Sequence, residues 1–208
     1  MQIVNFIKDS FQDCLPFKHA LTLFSYGCNL KCKMCEGYNY ETVTNKENII
    51  GNAIDIIKEN ITPLHDCVVF LGGEPTIHGK KLIDALRYCK SIGLKTKVFT
   101  NGVLSDTIEN INNLKLCDAW SVDYKGISEN IAPYIGIGSK EYLINIKKTL
   151  NNIIKYNQLP LEIRTTYFDN NINDRDIICE RMKHLKSSID KIYPNYPYFK
   201  YIEQKDVR

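Results

Sequence analysis

Short apolar runs alternate with helix-periodic stretches along this chain, and that alternation constrains the fold more than any other feature. Residues 20–25, 67–71, 95–99, 118–122 and 161–167 read as strands, with 67–71 a continuous apolar run. Between them, residues 47–60, 80–92, 140–156 and 174–186 carry apolar side chains at the spacing of one helix face. Ser105 or Asp106 suits the N-cap of a shorter helix reaching residue 114, and Gly93 is a natural helix stop. Five or six strand–helix units in strict alternation predict an α/β fold, a parallel sheet covered by helices. A closed eight-fold barrel takes about 250 residues, and this chain has 208. A partial (β/α)6 barrel is therefore expected, with residues 1–208 as one domain. Residues 1–20 form a leader to it, and residues 189–208 an aromatic-rich tail holding Pro194 and Pro197.

Composition excludes several classes of function. With 44% hydrophobic and 25% charged residues the chain is not a disordered one. Its net charge of +3 is too small to argue for a nucleic-acid partner. No apolar run approaches the ~18 residues a membrane span needs. The first fourteen residues carry Asp9 and Asp13 and lack the apolar core of a signal peptide, so a cytoplasmic, reducing location is expected.

Eight cysteines must be accounted for in that setting. Cys14, Cys67, Cys89, Cys117 and Cys179 are scattered and read as small buried hydrophobes. Cys28, Cys32 and Cys35 instead form a C-x3-C-x2-C loop directly after the first predicted strand. At this composition, about 0.01 such patterns arise by chance. Three thiolates so spaced can wrap a metal centre. Zinc in structural sites takes four ligands, with His19 and His65 as distant candidates for the fourth. A cubane iron–sulfur cluster held by three cysteines keeps one open iron. Gly72-Gly73-Glu74-Pro75 follows the second strand, where two glycines allow close backbone approach and a carboxylate can accept from an amine. Thr100-Asn101, Asp123-x-Lys125 and Arg164-Thr-Thr fall at later strand ends. In parallel α/β folds the C-terminal strand ends build the site, so these segments are expected to meet.

The cysteine loop followed by GGEP resembles the radical S-adenosylmethionine (SAM) superfamily. The opening Phe6–Pro16 and the segments Leu23-Phe24-x-x-Gly27-Cys28-Asn29, Thr100-Asn101-Gly102, Asp123-x-Lys125 and Arg164-Thr165-Thr166 resemble the activating proteins of glycyl radical enzymes. Among these, the activators of anaerobic ribonucleotide reductase are the best match. The resemblance implies a radical SAM barrel in which Cys28, Cys32 and Cys35 ligate three irons of a [4Fe–4S] cluster. The fourth iron would bind the amino and carboxylate groups of SAM. It further implies SAM contacts from Gly72, Gly73, Glu74, Thr100, Asn101, Asp123 and Lys125, with Arg164 as a further anion partner and Met34 packing where the superfamily commonly has an aromatic ring. The implied activity is reductive cleavage of SAM to a 5′-deoxyadenosyl radical, which makes a glycyl radical on a partner enzyme. A flavodoxin or ferredoxin-type reductant is implied with it, and Lys31 and Lys33 around Cys32 suit an acidic donor. Phe99 stands where this branch commonly has an Asp, so a cation site depending on that carboxylate is not expected. Two other readings stay open: a radical SAM enzyme acting on a small molecule, as in 7-carboxy-7-deazaguanine synthase, and a non-catalytic metal-binding interaction module.

Overall fold

The computed structural model describes residues 1–33, 35, 40–127, 131–167 and 174–205. One sheet of eight strands organises them, in the order β3-β1-β2-β4-β5-β6-β7-β8. Strands β2 (Ala20–Ser25), β4 (Cys67–Gly72), β5 (Lys95–Thr100), β6 (Ala119–Asp123), β7 (Leu161–Tyr167) and β8 (Phe199–Lys205) are parallel neighbours in chain order. A doubly wound sheet reverses its strand order at a switch point, whereas this one advances in a single direction. The result is the expected six-stranded partial barrel.

The strands alternate as a pleated sheet with two different faces must. Leu21, Leu23, Val68, Phe70, Val98, Trp120, Val122, Leu161 and Ile163 share one core with Ile57, Leu82, Leu86, Ile108, Ile111, Ile146 and Ile178 of the helices. Those helices are α2 (Ala53–Asn60), α3 (Lys80–Ser91), α4 (Ser105–Asn113), α6 (Ser139–Asn151) and α7 (Arg175–Ile192); two short ones, α1 (Tyr40–Thr44) and α5 (Ala132–Ile135), stand beside them in the chain. All of the long ones cover the convex side.

Two short pieces depart from the sequence reading. The leader is not a separate segment: β1 (Gln2–Ser10) pairs antiparallel with β2, and β3 (Gly51–Asn52) pairs with β1. This shortens the helix expected over residues 47–60. Ile50 donates its N–H to Ile3 O at 2.9 Å, and the Asn52 side chain then caps α2 by accepting from Asp55 N at 3.1 Å. Helix α4 begins after Leu104 with no side-chain cap; Ser105 faces Asn145 at 3.3 Å instead. Helix α6 passes into a π turn, Asn152–Asn157, built around a buried amide network of Asn112, Asn152 and Asn157 that also takes the Trp120 indole N–H. The aromatic tail divides between the end of α7 and β8. Four scattered cysteines are buried as expected, but Cys179 is half-buried and donates to Glu203 Oε1 at 3.0 Å.

The concave face is closed by the chain itself. Residues after β1 fold across it, so that Cys14 and Phe17 pack on Ala20, Cys67 and Val69. Beyond them lies a buried ionic array. Glu162 accepts from Ser121 Oγ (3.1 Å) and Arg164 Nε (2.5 Å), with Lys97 Nζ at 3.5 Å. Lys97 Nζ also donates to Leu15 O at 2.8 Å, and Arg164 reaches Asp13 at 3.2 Å. Both cations lie over the Phe99 ring, Lys97 Nζ at 4.8 Å and Arg164 Cζ at 4.4 Å from its centroid. Burial depresses the Lys97 ammonium, and Glu162 partly offsets this.

At the opposite strand ends Asp118 ties β5 to the turn before β6. It accepts from Lys90 Nζ at 2.5 Å and Thr96 N at 2.9 Å. Burial alone would raise its carboxyl, but the Lys90 ammonium and the Thr96 N–H more than offset that and hold it below the usual range. A depressed carboxyl contributes stability above its unfolded value, about 3.9, and loses it as pH falls through the lowered native one. Asp118→Asn is therefore expected to lower the urea midpoint at pH 7 and to flatten its acid decline below about pH 4. An unchanged acid limb would show that Asp118 carries none of it.

Candidate active site

Four strand ends converge on the cysteine loop. Gly27, at φ +84°, turns the chain out of β2 and leads directly to Cys28. Its carbonyl accepts from Glu74 N at 2.7 Å, and Ser25 O accepts from Gly73 N at 3.0 Å. The two glycines after β4 serve this junction. A Cβ on Gly72 would lie 2.6 Å from Ser25 N, and one on Gly73 would lie 1.9 Å from Gly27 O. They let backbone meet backbone, where the sequence alone suggests room for a ligand.

Glu74 is wholly buried at the centre of the junction. Its Oε1 accepts from Thr76 N, Thr76 Oγ1 and Thr100 Oγ1, at 3.1, 2.5 and 2.8 Å. Its Oε2 accepts from Asn101 N at 2.7 Å, which leaves that oxygen further acceptor capacity. Burial raises the carboxyl, and the donors work against that rise. Glu74 thus locks the GGEP turn to the end of β5.

Asn101 continues the contact to the cysteines. Its side-chain amide donates to Asn29 Oδ1 at 2.8 Å and stands 4.0 Å from Cys28 Sγ, while Leu30 N donates to that sulfur at 3.4 Å. Burial, with the Glu74 carboxylate behind it, pushes the Cys28 thiol up to about 12. The middle of the loop is held from outside: Lys31 N and Lys33 N donate to Ile135 O and Tyr134 O at 3.0 and 2.8 Å. Lys33 Nζ lies over the Tyr134 ring.

Lys125 approaches from the end of β6 and bonds Asp123 Oδ2 at 2.8 Å. Burial opposes its charge, but Asp123 and then Cys32 more than compensate and raise it. The Asp-x-Lys pair therefore sits beside the cysteine loop, as its strand position predicts. Arg164 does not join it as an open anion partner, because Glu162, Asp13 and Phe99 occupy its guanidinium. Asp13 is likewise engaged in that array. Met34 lies outside the described residues. The sequence assigns no role to Asn29, Thr76 or Tyr142: Thr76 serves Glu74 two residues before it, while Asn29 and Tyr142 serve elements distant in the chain.

Three half-buried thiols on one loop fit an iron–sulfur cluster that keeps one iron open. Among the described residues, the one trio with ligand atoms all within 4.8 Å of one another is Asp9, His19 and His65, not the cysteines. That trio lies at the other end of the strands and is internally satisfied. His65 Nδ1 accepts from Thr62 N and its Nε2 bonds Lys8 O at 2.6 Å. Its ring stacks on His19 at 4.5 Å, and both Nε2 atoms face Asp9 Oδ1, His19 at 2.9 Å and His65 at 3.8 Å. Neither histidine can complete a site with Cys28. No helix among the described residues is long and apolar enough to cross a membrane.

A family model described as the radical SAM superfamily matches residues 22–182. Two proteins of Methanocaldococcus jannaschii, both named as candidate glycyl-radical enzyme activating enzymes, are similar to this chain. One is 31% identical over 166 residues, covering 78% of this chain and 67% of its own length. The other is 27% identical over 208 residues, covering 94% and 75%. Among solved structures, native anSMEcpe with bound AdoMet and Kp18Cys peptide aligns with a TM-score of 0.51 at 18% identity, over 88% of this chain and 51% of that one. Native anSMEcpe with bound AdoMet alone gives 0.50 at 18%, over 86% and 49%. The chain spans about half the length of these solved structures, and the likeness to them is one of fold.

Proposed function

Because this chain belongs to the radical SAM superfamily, whose members hold a [4Fe–4S] cluster and SAM, we propose that it activates a glycyl radical enzyme, with anaerobic ribonucleotide reductase as the partner. When bound, the cluster and SAM together supply one-electron reduction and hydrogen-atom abstraction. The chain's own residues position and shield that chemistry. Cys28, Cys32 and Cys35 would hold the cluster, each giving up its proton on ligation. Glu74 fixes the GGEP turn, whose backbone and remaining Oε2 acceptor capacity serve the methionyl amine. The Lys125 ammonium receives the methionyl carboxylate beside Cys32. Asn101 and Asn29 brace the first cysteine.

The observation that carries the activase reading is the 31% identity to a candidate activating enzyme over most of this chain. It is supported by the lumen, where Lys97 and Arg164 are taken up by the Leu15 carbonyl and Asp13. A substrate must then be met at the strand ends, as a protein loop can be. The setting is the reducing cytoplasm, with a flavodoxin or ferredoxin-type protein as the electron donor.

Anaerobic reconstitution should yield four irons and four sulfides per chain and SAM cleavage under reductant. With anaerobic ribonucleotide reductase added, electron paramagnetic resonance should show a doublet from the glycyl α-hydrogen, collapsing when the partner carries deuterated glycine. SAM cleavage stimulated by a pterin precursor, with no radical on the reductase, would transfer the assignment to a small-molecule enzyme. Bound zinc without cleavage would leave a binding module.

A further inference from the structure

The Asp123–Lys125 turn is held by a side chain from another element. The β6–β7 ladder ends when Tyr124 N donates to Arg164 O at 2.7 Å, so Lys125 N–H lies beyond the sheet. Tyr142 of α6, fully buried, takes that proton: its hydroxyl accepts from Lys125 N at 2.6 Å and donates to Asp123 O at 3.0 Å. One phenol therefore closes the turn at both ends. The side chains that leave this turn, Asp123 Oδ2 and Lys125 Nζ, meet at 2.8 Å, with Cys32 close enough to favour the ammonium.

We infer that Tyr142 is a positioning residue for SAM binding, acting through the backbone of Asp123 and Lys125 to aim the Lys125 ammonium at the methionyl carboxylate beside Cys32. The inference rests on the reading above that Lys125 receives that carboxylate. Tyr rather than Phe is required by hydrogen-bond accounting. Phe fills the same space but withdraws both the acceptor from Lys125 N–H and the donor from Asp123 O, and a turn that loses both bonds opens toward other partners. An ammonium on a flexible four-carbon stem then loses the fixed base that limits its reach.

The test compares Tyr142→Phe, Lys125→Met and the double variant as reconstituted holoproteins. SAM affinity is read from the change in the reduced cluster's electron paramagnetic resonance spectrum on titration. Hydrogen exchange at the Lys125 amide is followed in parallel. Tyr142→Phe should weaken SAM binding about tenfold, the order expected for one buried hydrogen-bonding group. It should speed exchange at Lys125 while Trp120 and Val122 stay protected, and leave iron per chain unchanged. In the Lys125→Met background the same change should add less than about twofold, since residues that act through one another are not additive. A full tenfold loss in both backgrounds, or slow exchange at Lys125 in Tyr142→Phe, would overturn the positioning role while leaving Lys125 as a SAM ligand. Unaltered SAM affinity in Lys125→Met would instead remove the reading of Lys125 on which the inference stands.

Discussion

Cys32→Ala should reconstitute with no four-iron cubane and cleave SAM at a rate reduced on the order of a thousandfold or more. Cys32 is fixed between two backbone hydrogen bonds to Tyr134 and Ile135, so no neighbouring segment can slide a replacement ligand into its place. The scattered cysteines cannot substitute: Cys67, Cys89 and Cys117 are buried in the core among apolar side chains. Cys28→Ala and Cys35→Ala should behave alike. Cys67→Ala and Cys117→Ala should cost about 1 kcal/mol of packing and keep full iron content. Iron and sulfide analysis with visible absorption reads all five. A cubane spectrum retained by Cys32→Ala would end the assignment of that ligand.

Gly73→Ala should be the most damaging substitution that adds a single methyl group. The new carbon would stand 1.9 Å from Gly27 O, an atom that already accepts from Glu74 N. Neither partner is a flexible side chain, so the methyl must part the GGEP turn from the cysteine loop. Overpacking against fixed backbone costs about 3 kcal/mol or more, or roughly 6–12 °C in Tm for a chain of this size. Iron uptake should fall with it, because Glu74 and Asn101 lose their register with Cys28. Gly51→Ala is the control: its Cβ would meet Ile56 at an ordinary 3.5 Å, and it should stay within about 0.5 kcal/mol of the parent. Equal Tm values for the two variants would remove the backbone junction as the reason for these glycines.

What the sequence disclosed follows from which forces act locally. Buried parallel strands such as 67–72 are continuous apolar runs, so they were legible with nearly correct ends. The leader strand was hidden because it is irregular, with register breaks between Ile3 and Asn5 and between Ile7 and Ser10. Ile49 and Ile50 fit a helical period but lie beside the β1–β3 pairing, a tertiary use that no window of sequence contains. The segments around the cysteine loop were expected to meet because strand ends are shared by topology, and their contacts run from Glu74 through Asn101 to Asn29. Side-chain partners were not: Arg164 occupies its expected strand, but the short bond to Glu162 two residues earlier commits it to the lumen. That pair, on one face at a spacing of two, was the available signal. Tyr142 offered none, since an aromatic residue on an apolar helix face looks the same whether or not its hydroxyl is used.

The residues that seal the concave face leave the ribosome well before the partners that hold them. Leu15 waits for Lys97, 82 positions on, and Asp13 waits for Arg164, 151 positions on. Closure of such long loops gains nothing until the strands between them have assembled. During synthesis, Cys14 and Phe17 can already pack on Ala20, Cys67 and Val69 of β2 and β4, while Leu15 and Asp13 still lack their partners. Completion of β7 is the event that fastens Asp13, which makes the seal a late checkpoint on correct strand order.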